Sequence, residues 1–272
     1  MATLLPANAA RMRVLAARPT IREALDQSFA MAWRALLKMR RNPEQFFDVT
    51  LQPLLFTAMF TYIFGGAVAG STAGYLPIII PGILAQTTLT ACMATGIQLR
   101  EDMDKGVFDR FKSLPIARIS PLVGSALADL LRYALAATLT IIVGIAMGYR
   151  PGGGVAGVLG GWLLTIIAGW SLAWVFTWLG AIARSAQAVQ GISMMIMFPL
   201  SFLSNAFVPT QTMPGWLQTF VNVNPVSLVI RAVRDLMNHG EVTSSVGWAL
   251  FGCAATVSIF APLAVRAYSR KM

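Results

Sequence analysis

Charge is what this sequence has least of. Only 12% of its 272 residues are Asp, Glu, Lys or Arg, where an ordinary soluble domain carries roughly 25%. Between residues 185 and 230 there is no formal charge at all. Cysteine is scarce too: Cys92 and Cys253 each sit inside an apolar run, which excludes a disulfide framework and a zinc-type spacing. The single histidine, His239, falls in a connecting stretch. No G-x-x-x-x-G-K-[ST] loop is present, and the Gly152-Gly153-Gly154 run lacks both the lysine and a preceding strand, so the chain has no phosphate loop of its own. Gly191-Ile192-Ser193 offers at best a weak nucleophile motif, because a serine nucleophile needs a nearby base. Repeats of 20 to 50 residues are absent. The first 45 residues carry eight basic side chains and no compact apolar centre, which reads as mature protein rather than a cleavable leader.

What is present is a series of long apolar runs. A bilayer-crossing helix needs about 20 mostly apolar residues, at 1.5 Å per residue across a core of about 30 Å. Six segments meet this, near residues 46–64, 76–99, 121–147, 155–183, 187–208 and 242–265. The expected fold is therefore all-α: a six-span membrane domain over 46–266, a cytoplasmic N-terminal region over 1–45 and a short tail over 267–272. Orientation follows from Lys and Arg, which are enriched in cytoplasmic loops. With both ends inside, residues 1–45 place eight there, residues 100–118 five, Arg184 one and residues 266–272 three, 17 of the 21. Only Arg150, Arg231 and Arg234 fall outside, and Arg132 lies within a span. The net charge of +10 is thus spread over loops that face anionic lipid headgroups, and nucleic acid is not expected as a partner.

Several segments flank the spans. Thr20-Ile21-Arg22-Glu23 has the form of a capping box. After it, Ile21, Leu25, Phe29, Trp33 and Leu36 or Leu37 recur at helical spacing against a basic face, the pattern of a helix lying in the membrane interface. In the segment over 100–118, Met103, Val107, Phe108, Phe111 and Leu114 can share one helix face, ended by Pro115. Two phenylalanines on a cytoplasmic loop fit either a helix lying on the membrane or one inserted into a groove of a cytoplasmic protein. The outer segment over 209–240 is too long for a turn. Asn224-Pro225 is a good helix start there, Gly240 a stop, and Val226, Val229, Ile230, Val233, Leu236 and Met237 form an apolar stripe. An interfacial or partly re-entrant helix is expected. Ionisable groups inside spans are few: Asp48 in the first turn of its span, and Asp129 and Arg132 three residues apart, spaced to pair on one helix face. So sparse a set does not suit proton-coupled transport.

Four stretches, in this order and spacing, resemble the permease subunits of type-2 ABC exporters, most closely the daunorubicin-resistance permease group. They are Arg41-Asn42-Pro43-Glu44; Leu51-Gln52-Pro53 through Tyr62-Ile63-Phe64-Gly65-Gly66; Asp104-Lys105-Gly106 through Leu114-Pro115; and Met213-Pro214-Gly215-Trp216-Leu217 through Asn224-Pro225. The resemblance implies a permease that works with two copies of a separate ATPase subunit, which would bind ATP and Mg, and with a second permease, identical or paralogous. It implies no cofactor or metal in this chain. It assigns coupling to the ATPase to Glu44, Gly106, Phe108, Arg110, Phe111 and Pro115. It also implies a substrate path between two permeases, faced by spans one, two and five. Mapped here, that path takes in Gln52, Thr57 and Thr61, then Gln86 and Thr90, then Met194, Phe198, Phe202 and Asn205. Flexible methionine and aromatic side chains suit a bulky amphiphile. The expected function is ATP-driven export of a hydrophobic or amphipathic compound, a drug or antibiotic. Export of a lipid or lipid-linked glycan stays open beside it, as does a stand-alone secondary transporter or channel.

Overall fold

The computed structural model describes residues 43–106 and 120–270, with Ala30 and Trp33 alone before them. The N-terminal amphipathic segment, the stretch holding Phe108, Arg110, Phe111 and Pro115, and the last two residues lie outside the described residues. Among those described there are only helices and turns. In chain order they are α1 (Pro43–Ala69), α2 (Thr72–Asp104), α3 (Ser120–Ala146), α4 (Gly154–Ile182), α5 (Ala186–Phe202), a single 3-10 turn (Thr210–Thr212), α6 (Gly215–Val223), α7 (Pro225–His239) and α8 (Ser244–Ser269).

Among the described residues, four apolar stretches are long enough to cross a bilayer: Thr72–Asp104, Val123–Ala146, Gly154–Ile182 and Ser244–Ser269. Two shorter ones, Pro53–Ala69 and Ala186–Phe202, complete the set. The helix ends follow local chemistry. Ser71 accepts from the Gly74 N–H at 3.1 Å and starts α2 at Thr72, four residues ahead of the expected boundary. At the other end the charged residues 100–104 continue α2 rather than opening a new helix, and Gly106, at φ +64°, turns the chain away. A positive φ costs glycine nothing, and few other residues adopt it readily. The fifth apolar helix is shorter than the sequence suggests, stopping at Phe202. Pro199 contributes no N–H there, and residues 203–209 run on without helix.

α2 and α4 form the centre. α2 packs against α1, α3, α4, α5 and α7, and α4 against α2, α3, α5, α7 and α8. Their contact is built on glycine. A Cβ on Gly96 would lie 2.2 Å from the Phe176 carbonyl oxygen, and one on Gly180 would lie 2.3 Å from the Gly96 oxygen. Backbones that approach so closely gain dispersion contact, which substitutes for hydrophobic driving force between helices in lipid. Gly169 admits the Thr88 methyl in the same way.

Candidate translocation path and polar clusters

A cluster of polar side chains lies buried between α2 and α3. The Arg132 guanidinium reaches the Asp129 carboxylate at 2.8 Å on the same helix, and both side chains are buried. From α2, the Thr95 hydroxyl donates to the other Asp129 oxygen at 2.7 Å, while Arg132 donates to the Ala91 carbonyl at 2.8 Å and to Thr95 at 3.0 Å. The Tyr133 hydroxyl lies 3.1 Å from Thr95. Charges so deep in an apolar medium are tolerated only when paired and hydrogen-bonded. These bonds meet most of that need, although the Arg132 Nε–H has no partner, and they pin α3 to α2. Nothing local in the sequence marks Thr95 as a partner, since it lies 34 residues from Asp129.

The residues assigned to a path divide into two groups. Met194, Phe198 and Phe202 stand out on α5, with 51%, 61% and 46% of their surface open. Phe198 and Phe202 stack at 4.5 Å. Thr57 and Thr61 of α1 and Asn205 after α5 are buried inside the chain instead, and their Oγ1 and Oδ1 atoms have no hydrogen-bond partner. Gln86 is half-buried and accepts from the Ser201 hydroxyl, which joins α2 to α5. Thr90 bonds back to the Gln86 carbonyl at 3.0 Å. The side chains of Gln52 and Glu44, both on α1, lie outside the described residues. The geometry therefore gathers Gln86, Ser201 and the aromatic pair on neighbouring elements and turns the two α1 threonines inward.

At one end of α2, Arg100 forms an ion pair with Asp104 one turn on and donates to the Ala183 carbonyl at 3.0 Å, where α4 ends. Ser185 caps α5 two residues later. Gly106 follows immediately on α2.

At the opposite end lies α7. Asn224 accepts from the Val226 N–H at 2.9 Å and Gly240, at φ +71°, closes the helix, so both boundaries agree with the sequence signals. The apolar stripe Val226, Val229, Ile230, Val233, Leu236 and Met237 is buried throughout. α6 was not legible: it has no charge and no side-chain cap, and it lies between Pro214 and Asn224. The polar residues of α7 turn inward more than amphipathic spacing implies. Asn238 donates to the Pro77 carbonyl at 2.8 Å and accepts from the Tyr149 hydroxyl at 2.6 Å. Pro77 O is free because Pro81, four residues on, has no N–H. Arg234 donates to the Ile78 carbonyl at 3.0 Å and to the Asn205 carbonyl at 2.8 Å. Burial lowers its guanidinium to about 10, with Asp235 pulling the other way, and it stays protonated at neutral pH. Asn224 caps the free end of α5 through the Leu200 and Leu203 carbonyls at 2.8 and 3.0 Å.

A bundle of apolar helices around a buried central pair, with polar pins at both ends and an amphipathic helix beside it, is the architecture of a multi-pass membrane protein. The family model described as ABC-2 type transporter matches residues 26–238. The chain belongs to that family, whose members are transmembrane subunits of ABC transporters and are normally not catalytic. It is 41% identical to the "Daunorubicin resistance ABC transporter permease protein DrrB1" of Streptomyces coeruleorubidus over 254 residues, 93% of this chain and 90% of the relative. It is 25% identical to the "Probable doxorubicin resistance ABC transporter permease protein DrrC" of Mycobacterium tuberculosis, over 88% of this chain and 87% of the relative. A "Putative transport permease ycf38" of Pyropia yezoensis is 26% identical over 84% of this chain and 78% of its own.

Proposed function

We propose that this chain is the permease subunit of an ATP-driven exporter of a hydrophobic or amphipathic drug of the daunorubicin kind. The observation that carries this is the 41% identity, over nearly the whole of both chains, to a permease named for daunorubicin resistance. The stacked Phe198 and Phe202 beside Met194 supply a flat, polarisable surface that suits a planar amphiphile. In this reading the chain crosses the membrane six times with both ends in the cytoplasm, pairs with a second permease, identical or paralogous, and binds two copies of a separate ATPase subunit. That subunit holds ATP and Mg. Glu44, Gly106 and the segment with Phe108, Arg110, Phe111 and Pro115 face the ATPase, and the substrate path runs past α1, α2 and α5. ATP then favours one permease conformation over the other, which is what drives net export.

The test is uptake of daunorubicin into inside-out vesicles holding the permease and its ATPase. ATP-dependent accumulation is expected, and it is abolished when Phe108 and Phe111 are both changed to serine, together with co-purification of the ATPase. Vesicles that move a fluorescent phospholipid and no daunorubicin would favour the lipid reading. ATP-independent uptake would sink both.

A further inference from the structure

α2 is 33 residues long, about 50 Å at 1.5 Å per residue, against a hydrocarbon core of about 30 Å. It projects beyond the apolar layer and is gripped near both ends. Toward the end that leads into Gly106, Arg100 ties it to the α4 terminus, and one turn further in the Gly96 and Gly180 backbones touch. Beside Gly96, Thr95 and the Ala91 carbonyl hold the Asp129 and Arg132 pair of α3. At its far end, the Pro77 and Ile78 carbonyls receive Asn238 and Arg234 of α7. The same end holds the stretch after α5: the Tyr75 hydroxyl donates to the Phe207 carbonyl at 2.7 Å, and Gly82 lies against Ala206 with no room for a Cβ. α7 also seats on α4, where the Gly153 N–H donates to the Met237 carbonyl at 2.9 Å and Gly157 meets the Leu236 carbonyl.

Arg234 is the unusual member. It is a largely buried cation with no carboxylate at salt-bridge distance among the described residues, and its Nε–H, like those of Arg100 and Arg132, has no partner. What holds it is two backbone carbonyls, one on α2 and one on the stretch after α5. A charged donor on two carbonyls from different elements fixes their relative position strongly, because losing it leaves buried polar groups unmet.

We propose that α2 and α4 act as one lever through the membrane, and that Arg234 and Asn238 are the positioning residues that fasten α7 and residues 203–209 to its outer end. Movement delivered at the Gly106 end then reaches the outer side without rearranging the helices between. This rests on the exporter reading for the source of the movement.

The experiment uses the complete permease and ATPase complex in proteoliposomes, with Ser227→Cys as a reporter. Ser227 lies wholly buried on α7 and its hydroxyl bonds to nothing, so the cysteine reacts with a membrane-impermeant maleimide only when α7 lifts; Cys92 and Cys253 are buried in their own helices. With Arg234 and Asn238 intact, α7 travels with α2 and α4, and labelling stays slow, within about twofold, with or without ATP and vanadate. With Arg234→Gln and Asn238→Ala together, labelling is at least about fivefold faster, ATPase activity stays within about twofold, and daunorubicin moved per ATP falls at least about tenfold. Arg234→Lys, which keeps the charge and one donor, lies between. A double variant that keeps slow labelling and full transport overturns the inference. So does a wild-type complex whose labelling rises at least about fivefold with ATP and vanadate. Absence of any ATPase partner sinks the exporter reading, and the inference with it. If the double variant loses its ATPase through misfolding, the single Asn238→Ala carries the same expectations and the same grounds for rejection.

Discussion

Asp129 and Arg132 show how far one pair of residues can be read from spacing. Their separation of three places them on one helix face, and the structure puts them 2.8 Å apart. Spacing has no access to Thr95 or the Ala91 carbonyl, which come from another helix. Yet without those partners the pair has no account of its burial. Removing one member leaves the other charged and unmatched, which costs roughly 3–5 kcal/mol at buried pairs. Asp129→Ala is therefore expected to lower the thermal unfolding midpoint of the detergent-purified protein sharply. Asp129→Leu combined with Arg132→Met recovers most of the loss, since an apolar pair needs no compensation. An Asp129→Ala variant as stable as the parent would show that the cluster does not pin α3 to α2.

Among elements, several boundaries were legible because caps and breakers act locally. Asn224-Pro225 and Gly240 bound α7 as their backbone preferences dictate. The positions of Gly82, Gly96 and Gly180 were not legible as contacts, because glycine looks alike in sequence whether a neighbour touches it or not. The structure separates the two cases. Gly96 has the Phe176 carbonyl against it, whereas Gly252 of α8 has nothing within 4 Å. Gly96→Ala is thus expected to force α2 and α4 apart and destabilise by about 1–3 kcal/mol or more. Gly252→Ala is expected to stabilise by about 0.5–1 kcal/mol through helix propensity alone. Unfolding midpoints of the two variants decide the matter, and equal shifts in both would refute the glycine seam. The residues assigned to the path differ in exposure. α5 presents Met194, Phe198 and Phe202 openly, but Thr57 and Thr61 face inward, because their burial depends on which side of α1 meets its neighbours.

For the whole molecule, the orientation rests on charge that sequence alone displays, with 17 of 21 basic residues assigned to one side. Single cysteines introduced at Ala2 and at Gln211 are expected to label from opposite sides of intact cells: Gln211 from outside with an impermeant reagent, Ala2 only after permeabilisation. The reverse pattern would invert the topology. α5 carries a further consequence. It has 17 residues, about 25 Å of helix, beside α2 and α4, which have 33 and 29. A hydrocarbon layer of about 30 Å overhangs so short a helix, and the lipid must thin locally or draw residues 203–209 into it. The transporter should then sense bilayer thickness. Reconstituted in lipids two methylenes shorter per chain it is expected to export faster than in lipids two longer, at equal ATPase content. A cell that changes acyl-chain length with temperature would be retuning this pump as it does so.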